Sequence, residues 1–140
     1  MSRIGRRIAF DFGEVRIGVA VCDPDGILAT PLTTLQSKDP SLKVNILALI
    51  EEYEPVKFYV GQPNLLSGEQ GTAVAKVMAF TQMLTSSFDI PVVLVDERLS
   101  TVTANRQLRE SGISAKDARS VIDAAAAVAI LEQGLANERG

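Results

Sequence analysis

The chain contains no histidine and no tryptophan, a single cysteine, and only 5% aromatic residues. The lack of histidine excludes Ser-His-Asp and Cys-His catalysis, His-ligated zinc and an imidazole general base. The lone Cys22 can form neither an internal disulfide nor a thiolate cluster, which fits a reducing compartment. No apolar run approaches the roughly 18 residues that a membrane span needs. The basic start, Ser2 to Arg7, is followed by a stretch that Asp11 interrupts, with no small-residue cleavage site after it. It therefore reads as the approach to a first strand rather than an export signal. These absences predict a cytoplasmic protein. Any chemistry must come from carboxylates, hydroxyls, lysine or arginine, backbone amides, or a hard cation held by oxygen ligands.

The 140 residues, 46% apolar and 22% charged, suit one folded domain with a sizeable core over about residues 7–134. Arg7–Phe12 and Val15–Cys22 read as strands, and Asp23-Pro24-Asp25-Gly26 is a strong turn signal. Ile27–Gln36 reads as a third strand at a sheet edge, because Pro31 cannot donate to a ladder. Ser41 is the expected cap of a helix carrying Val44, Ile46, Leu47, Leu49 and Ile50, which ends before Pro55. Val56–Gly61 and Pro91–Val95 complete the strands, separated by a Gly- and Pro-bearing loop and a helix over about residues 72–86. Two further helical segments are expected, over about 101–110 and within 114–137, with a frayed tail after Gly134. Three strands joined by tight turns, then helix-connected strands, predict a mixed five-stranded α/β sheet flanked by helices.

Three acidic positions stand out. Asp11 sits inside the first strand between two phenylalanines, where a carboxylate is costly unless paired, metal-bound or at a wet rim. Alone, it is slightly better explained as an acceptor for the following turn. Asp96 and Glu97, with Arg98, end the oily fifth strand before a helix that Ser100 or Thr101 can cap. Carboxyl ends of parallel strands are where α/β sheets bind ligands, although an exposed ion pair would serve the same residues. Asp123 precedes four alanines on the last helix and could be the third residue of a capping box begun by Ser120. Alternatively, the alanines let that helix lie close to the sheet and bring Asp123 toward Asp11. Three converging carboxylates without histidine are what a Mg²⁺ or Mn²⁺ site requires. Two such ions about 3.5–4 Å apart can drive phosphodiester hydrolysis. That is the logic of RNase H-like nucleases, whose element order the prediction matches.

The stretches D-F-G-E-V-R-I-G-V-A-V-C-D, V-G-Q-P-N-L-L-S-G-E-Q-G, D-E-R-L-S-T-V-T-A and I-D-A-A-A-A-V-A-I-L together resemble the YqgF/RuvX family. The resemblance runs from Arg7 to about Gln133 and implies an RNase H-like nuclease fold. It also implies a hydrolase of ribosome biogenesis that matures the 5′ end of pre-16S rRNA; members also carry the label Holliday junction resolvase. It implies Asp11, Glu97 and Asp123 as catalytic ligands of two Mg²⁺ or Mn²⁺ ions, with Asp96 as the neighbouring alternative. Arg16 and Arg98 would contact phosphate, and the loop around Pro63 and Gly68 would border the substrate. Gln62 and Asn64 stand where members commonly carry apolar residues.

The expected partners are nucleic acid, as structured RNA or branched DNA, and a pre-ribosomal particle, with no membrane. The oligomeric state, monomer or homodimer, is left open. A net charge of −3 runs against the basic footprint of most nucleic-acid binders. Metal ligands account for part of the acidity, and Arg98, Arg106, Arg109, Lys116 and Arg119 offer a local basic segment. A catalytically weak binding or assembly factor is the alternative from another class. An actin-like nucleotide site, suggested by the glycines after Asp11, ranks last because one short domain is half of what it needs.

Overall fold

The computed structural model describes residues 5–62, 71–96 and 115–139. Five strands, β1 (Arg7–Phe12), β2 (Arg16–Cys22), β3 (Ala29–Gln36), β4 (Lys57–Gln62) and β5 (Val92–Asp96), form one sheet. Its order is β3-β2-β1-β4-β5. The first three strands pair antiparallel, whereas β4 and β5 run parallel to β1. Helices α1 (Leu42–Tyr53), α2 (Gly71–Ser87) and α3 (Ala115–Arg139) flank the sheet. Pro31 falls on the edge strand β3, opposite Ala20 beside a register shift, as its missing donor requires.

Alternation along β1 separates two cores. Ile8 and Phe10 face one side, with Phe58 and Val60 of β4, Ile46 of α1, and Val77, Phe80 and Leu84 of α2. Phe10 meets Phe58 and Phe80 edge-on, with centroids 5.2 and 5.5 Å away. The other face is floored by small residues. Ala9, Ala20 and Cys22 lie under Ala127, Ile130, Leu131 and Leu135 of α3. The alanines of α3 therefore do bring this helix close to the sheet, since Ala126 and Ala127 are buried.

Gly134 makes the closest approach. A Cβ there would stand 2.8 Å from three ring atoms of Tyr59, which is itself buried. Glycine inside a helix ordinarily costs about 1 kcal/mol relative to alanine. Gly134→Ala is nevertheless expected to destabilise, by about 1–2 kcal/mol net, because overpacking a rigid ring outweighs the propensity gain. Urea unfolding of the two proteins measures the sign; a more stable variant would refute the packing argument.

Several sequence expectations are corrected. Strands β2 and β3 start at Arg16 and Ala29 rather than Val15 and Ile27. Ser41 occupies the N-cap of α1 without a side-chain capping bond; Asp39 does the local work, its carboxylate accepting from the Ser41 amide at 2.8 Å. Ser120 is not an N-cap, because α3 already begins at Ala115 and Asp123 lies well inside it. The tail beyond Gly134 is not frayed either. It stays helical to Arg139, with Glu138 bridging the Arg7 guanidinium at 2.8 Å and the Lys57 ammonium at 3.3 Å. Sequence patterning missed this because the partners lie more than a hundred residues upstream or across the sheet. The helix expected over 101–110 lies outside the described residues. Among the described residues no helix is long and apolar enough to cross a membrane.

Candidate active site

Asp11 is the penultimate residue of β1, partly buried, and lies opposite Gly18 of β2. By alternation it shares the face of Ala9, the face on which α3 packs. Gly18 and Ala9, its neighbours across and along the sheet, are both small and buried. The adjacent turn is tightly closed, because the Gly13 amide donates to the Arg16 carbonyl at 2.9 Å. A Cβ on Gly13 would meet that same oxygen at 2.7 Å, so any other residue would displace the turn that follows Asp11.

The direction of α3 follows from its C-terminal contacts. Glu138 meets Arg7 and Lys57, the first residues of β1 and β4. From there the helix runs back along the sheet toward the carboxyl ends of the parallel strands. Asp123 precedes Glu138 by about 22 Å of helix rise, and Asp11 follows Arg7 by about 13 Å of strand. The backbone of α3 at position 123 therefore belongs to the Asp11 end of the sheet. Asp123 also stands four and seven residues before the buried Ala127 and Ile130, the spacing of one helical face.

Asp96 ends β5, exposed, in register with Gln62 at the end of β4. Val95 belongs to the α3 face and Leu94 to the other, so alternation assigns Asp96 to the face away from Asp11. Arg16 opens β2 opposite Gln36, partly buried. Glu97, Arg98, Pro63 and Gly68 lie outside the described residues, as do Asn64, Arg106 and Arg109. Among the described residues no three His, Cys, Asp or Glu side chains gather into a metal-holding group. The donor chemistry at this end is nonetheless that of a hard cation, since the candidates are carboxylates. Cys22 is excluded as a soft ligand: it sits toward the other end of β2, accepts the Arg7 amide at 3.2 Å, and burial pushes its thiol pKa up.

Two features at this rim were not legible in the sequence. Lys76 of α2 pairs with Glu14 in the turn after Asp11, and that hydrogen bond holds the Glu14 carboxyl below its ordinary pKa. Ser37, after β3, donates its amide to the Val15 carbonyl at 2.9 Å and its hydroxyl to the Gly13 carbonyl. Neither pair has any sequence periodicity that could announce it.

A profile of the RuvX family, described as Holliday junction resolvase, matches residues 5–137. The chain belongs to the RuvX family. Among the relatives of this RuvX-family chain, a protein of Streptomyces coelicolor is 54% identical over 139 residues, covering 98% of this chain and 83% of the relative. One of Rhodococcus opacus is 54% identical over 142 residues, covering 96% and 79%. Both are provisionally named pre-16S rRNA nuclease. The RuvX-family fold is similar to that of Thermus thermophilus RuvC solved in complex with a Holliday junction substrate. That similarity has a TM-score of 0.60 at 16% identity, over 97% of this chain and 96% of the other. The RNase H-like α/β architecture is thereby shown for the RuvX-family chain.

Proposed function

We propose that this chain is a metal-dependent endonuclease that hydrolyses phosphodiester bonds in structured RNA, acting in 5′-end maturation of pre-16S rRNA. The observation that carries the reading is Asp11 on the α3 face, at the sheet end toward which the Asp123 segment of α3 runs. The relatives' names supply the substrate class. Asp11, Glu97 and Asp123 would hold Mg²⁺ or Mn²⁺, with two ions as the expected number. Asp96 is the weaker candidate because its alternation assigns it to the opposite face, which favours its neighbour Glu97. When bound, the ions supply a water of lowered pKa and neutralise charge on the leaving oxygen. Asp11 anchors the site on a rigid strand, Arg16 and Arg98 orient phosphates, and the loop around Pro63 and Gly68 borders the strand. The single domain would work in the cytoplasm, as ribosome maturation requires.

Branched DNA is the second substrate, favoured by the family's description and by the junction-bound RuvC of the same fold. Cleavage of a pre-16S 5′ fragment and of a four-way junction is compared in Mg²⁺, Mn²⁺ and EDTA. RNA cleavage that needs either cation and stops in EDTA is the expected result. Junction cleavage alone would move the substrate to DNA. Binding without cleavage of either would favour the assembly-factor reading, and cleavage persisting in EDTA would refute metal dependence.

A further inference from the structure

Helix α3 is longer than the strand it follows. From Glu138, tied to Arg7 and Lys57 at the first residues of β1 and β4, it rises about 34 Å back to Ala115. Strand β1 advances only about 17 Å from Arg7 to Phe12. The first turns of α3 therefore pass beyond the Asp11 end of β1, on the side of the sheet that Asp11 shares. The stripe by which α3 meets the sheet is fixed by Ala127 and Ile130, buried with Ala9 and Ala20. Gly134 belongs to it too, its Cβ position abutting the Tyr59 ring. At about 100° per residue, Lys116 stands five full turns before Gly134, and Arg119 about three turns before Ile130. Asp123 falls between them on the same stripe. One stripe is thus apolar over the sheet, acidic at position 123 and cationic beyond it. Charged residues of a packed helix ordinarily occupy the face opposite its buried stripe, so this reversal suits a ligand better than solvent. Asp117 is off the stripe, about 100° round from Lys116 and about 160° from Arg119. Two cations in line with a proposed metal ligand, past the end of the strand, match the phosphates of a polynucleotide crossing that site.

We propose that these overhanging turns of α3 hold the phosphate backbone of the substrate strand beside the scissile bond, through Lys116 and Arg119. The inference rests on the nuclease reading above and adds two substrate contacts to it. Its test is the binding of a labelled pre-16S 5′ RNA fragment by Asp11→Asn protein across a salt series. Lys116→Gln and Arg119→Gln should each weaken binding about three- to tenfold. Each should also lower the slope of log affinity against log salt by roughly 0.7–0.9. Lys116→Arg and Arg119→Lys, which keep the charge, should keep the slope. Lys43→Gln removes an exposed cation from α1, on the other side of the sheet, and should change affinity less than about twofold. An unaltered slope in the Lys116→Gln/Arg119→Gln protein, or an equal loss in Lys43→Gln, overturns the proposal. Slower cleavage in Arg119→Gln with an unaltered slope would make Arg119 a partner of Asp123 one turn on, and overturn its phosphate contact. Absence of measurable RNA binding at low salt overturns the inference and the substrate assignment together. Cleavage by Asp11→Asn with both glutamine effects intact would remove the metal site and leave the phosphate contacts. An inactive Asp11→Asn whose binding ignores both substitutions would remove only the contacts.

Discussion

Replacing Asp11 by asparagine is expected to lower RNA cleavage by on the order of 10³-fold or more, with the fold intact. The substitution conserves shape and removes only charge, at a position where β1 pairs with β2. Hard divalent cations bind through ionised carboxylates, and an amide oxygen is a much weaker ligand. Losing about 4 kcal/mol of transition-state stabilisation corresponds to that rate factor. Single-turnover cleavage at saturating RNA reads the chemical step, while circular dichroism and thermal melting report the fold. An Asp11→Asn protein that cleaves within about tenfold of the parent would sink the proposed mechanism. A variant equally inactive but unfolded would be recognised by its melt. Glu97→Gln should behave like Asp11→Asn, whereas Asp96→Asn should retain most activity, because alternation along β5 assigns Asp96 to the face away from Asp11.

Removing Glu138 should destabilise the fold strongly, although the residue lies in the last turn of α3. Arg7 carries one of the few buried charges, its side chain only 5% exposed. Its guanidinium donates to the Gly5 carbonyl at 2.7 Å and to Glu138 at 2.8 Å. Truncating one partner of a buried pair leaves the other charge uncompensated, at about 3–5 kcal/mol. Glu138 is a quarter exposed and Arg7 keeps the Gly5 bond, so about 2–3 kcal/mol is expected for Glu138→Ala. That is a Tm lower by roughly 6–10 °C for a chain of this size.

The pH dependence has a definite sign. Burial alone would raise the Glu138 carboxyl, but the Arg7 hydrogen bond and charge, with Lys57, hold its pKa below the ordinary value of 4.5. A depressed carboxyl pKa contributes fully above the unfolded-state value and is lost as pH falls through the folded value. The stability gap between parent and Glu138→Gln should therefore be constant near neutrality and close as the pH falls below about 4.5. A gap that widened in acid would refute the ion-pair account.

Much of this protein could be read directly from its residue pattern. The order of strands and helices follows from local periodicity, because alternating apolar residues in Arg7–Phe12 and Arg16–Cys22 have few other ways to bury themselves. The absence of histidine and of thiolate clusters restricted the chemistry to oxygen ligands. Motif resemblance selected Glu97 over Asp96; alternation along β5 places Asp96 on the face away from Asp11, and Glu97 lies outside the described residues. The errors occurred where local rules met distant partners. Ser120 and Asp123 satisfy a capping-box pattern, yet the helix begins at Ala115 because its upstream residues continue the same helix. Gly134 resembled a helix end but marks the spot where Tyr59 needs room.

Sequence alone determined the class of fold, the permitted chemistry and the carboxylates worth testing, since these depend on residue type and short-range period. Tertiary structure alone decided that Asp11 and the α3 helix share one face of the sheet, and that α3 is tied down at Arg7 and Lys57. It also decided that the turn after Asp11 is stitched to the β3–α1 segment through Ser37. Those facts depend on which face each strand turns inward and on hydrogen bonds between residues remote in the chain. No local pattern encodes them, because side-chain period fixes spacing along an element but not the partner that meets it.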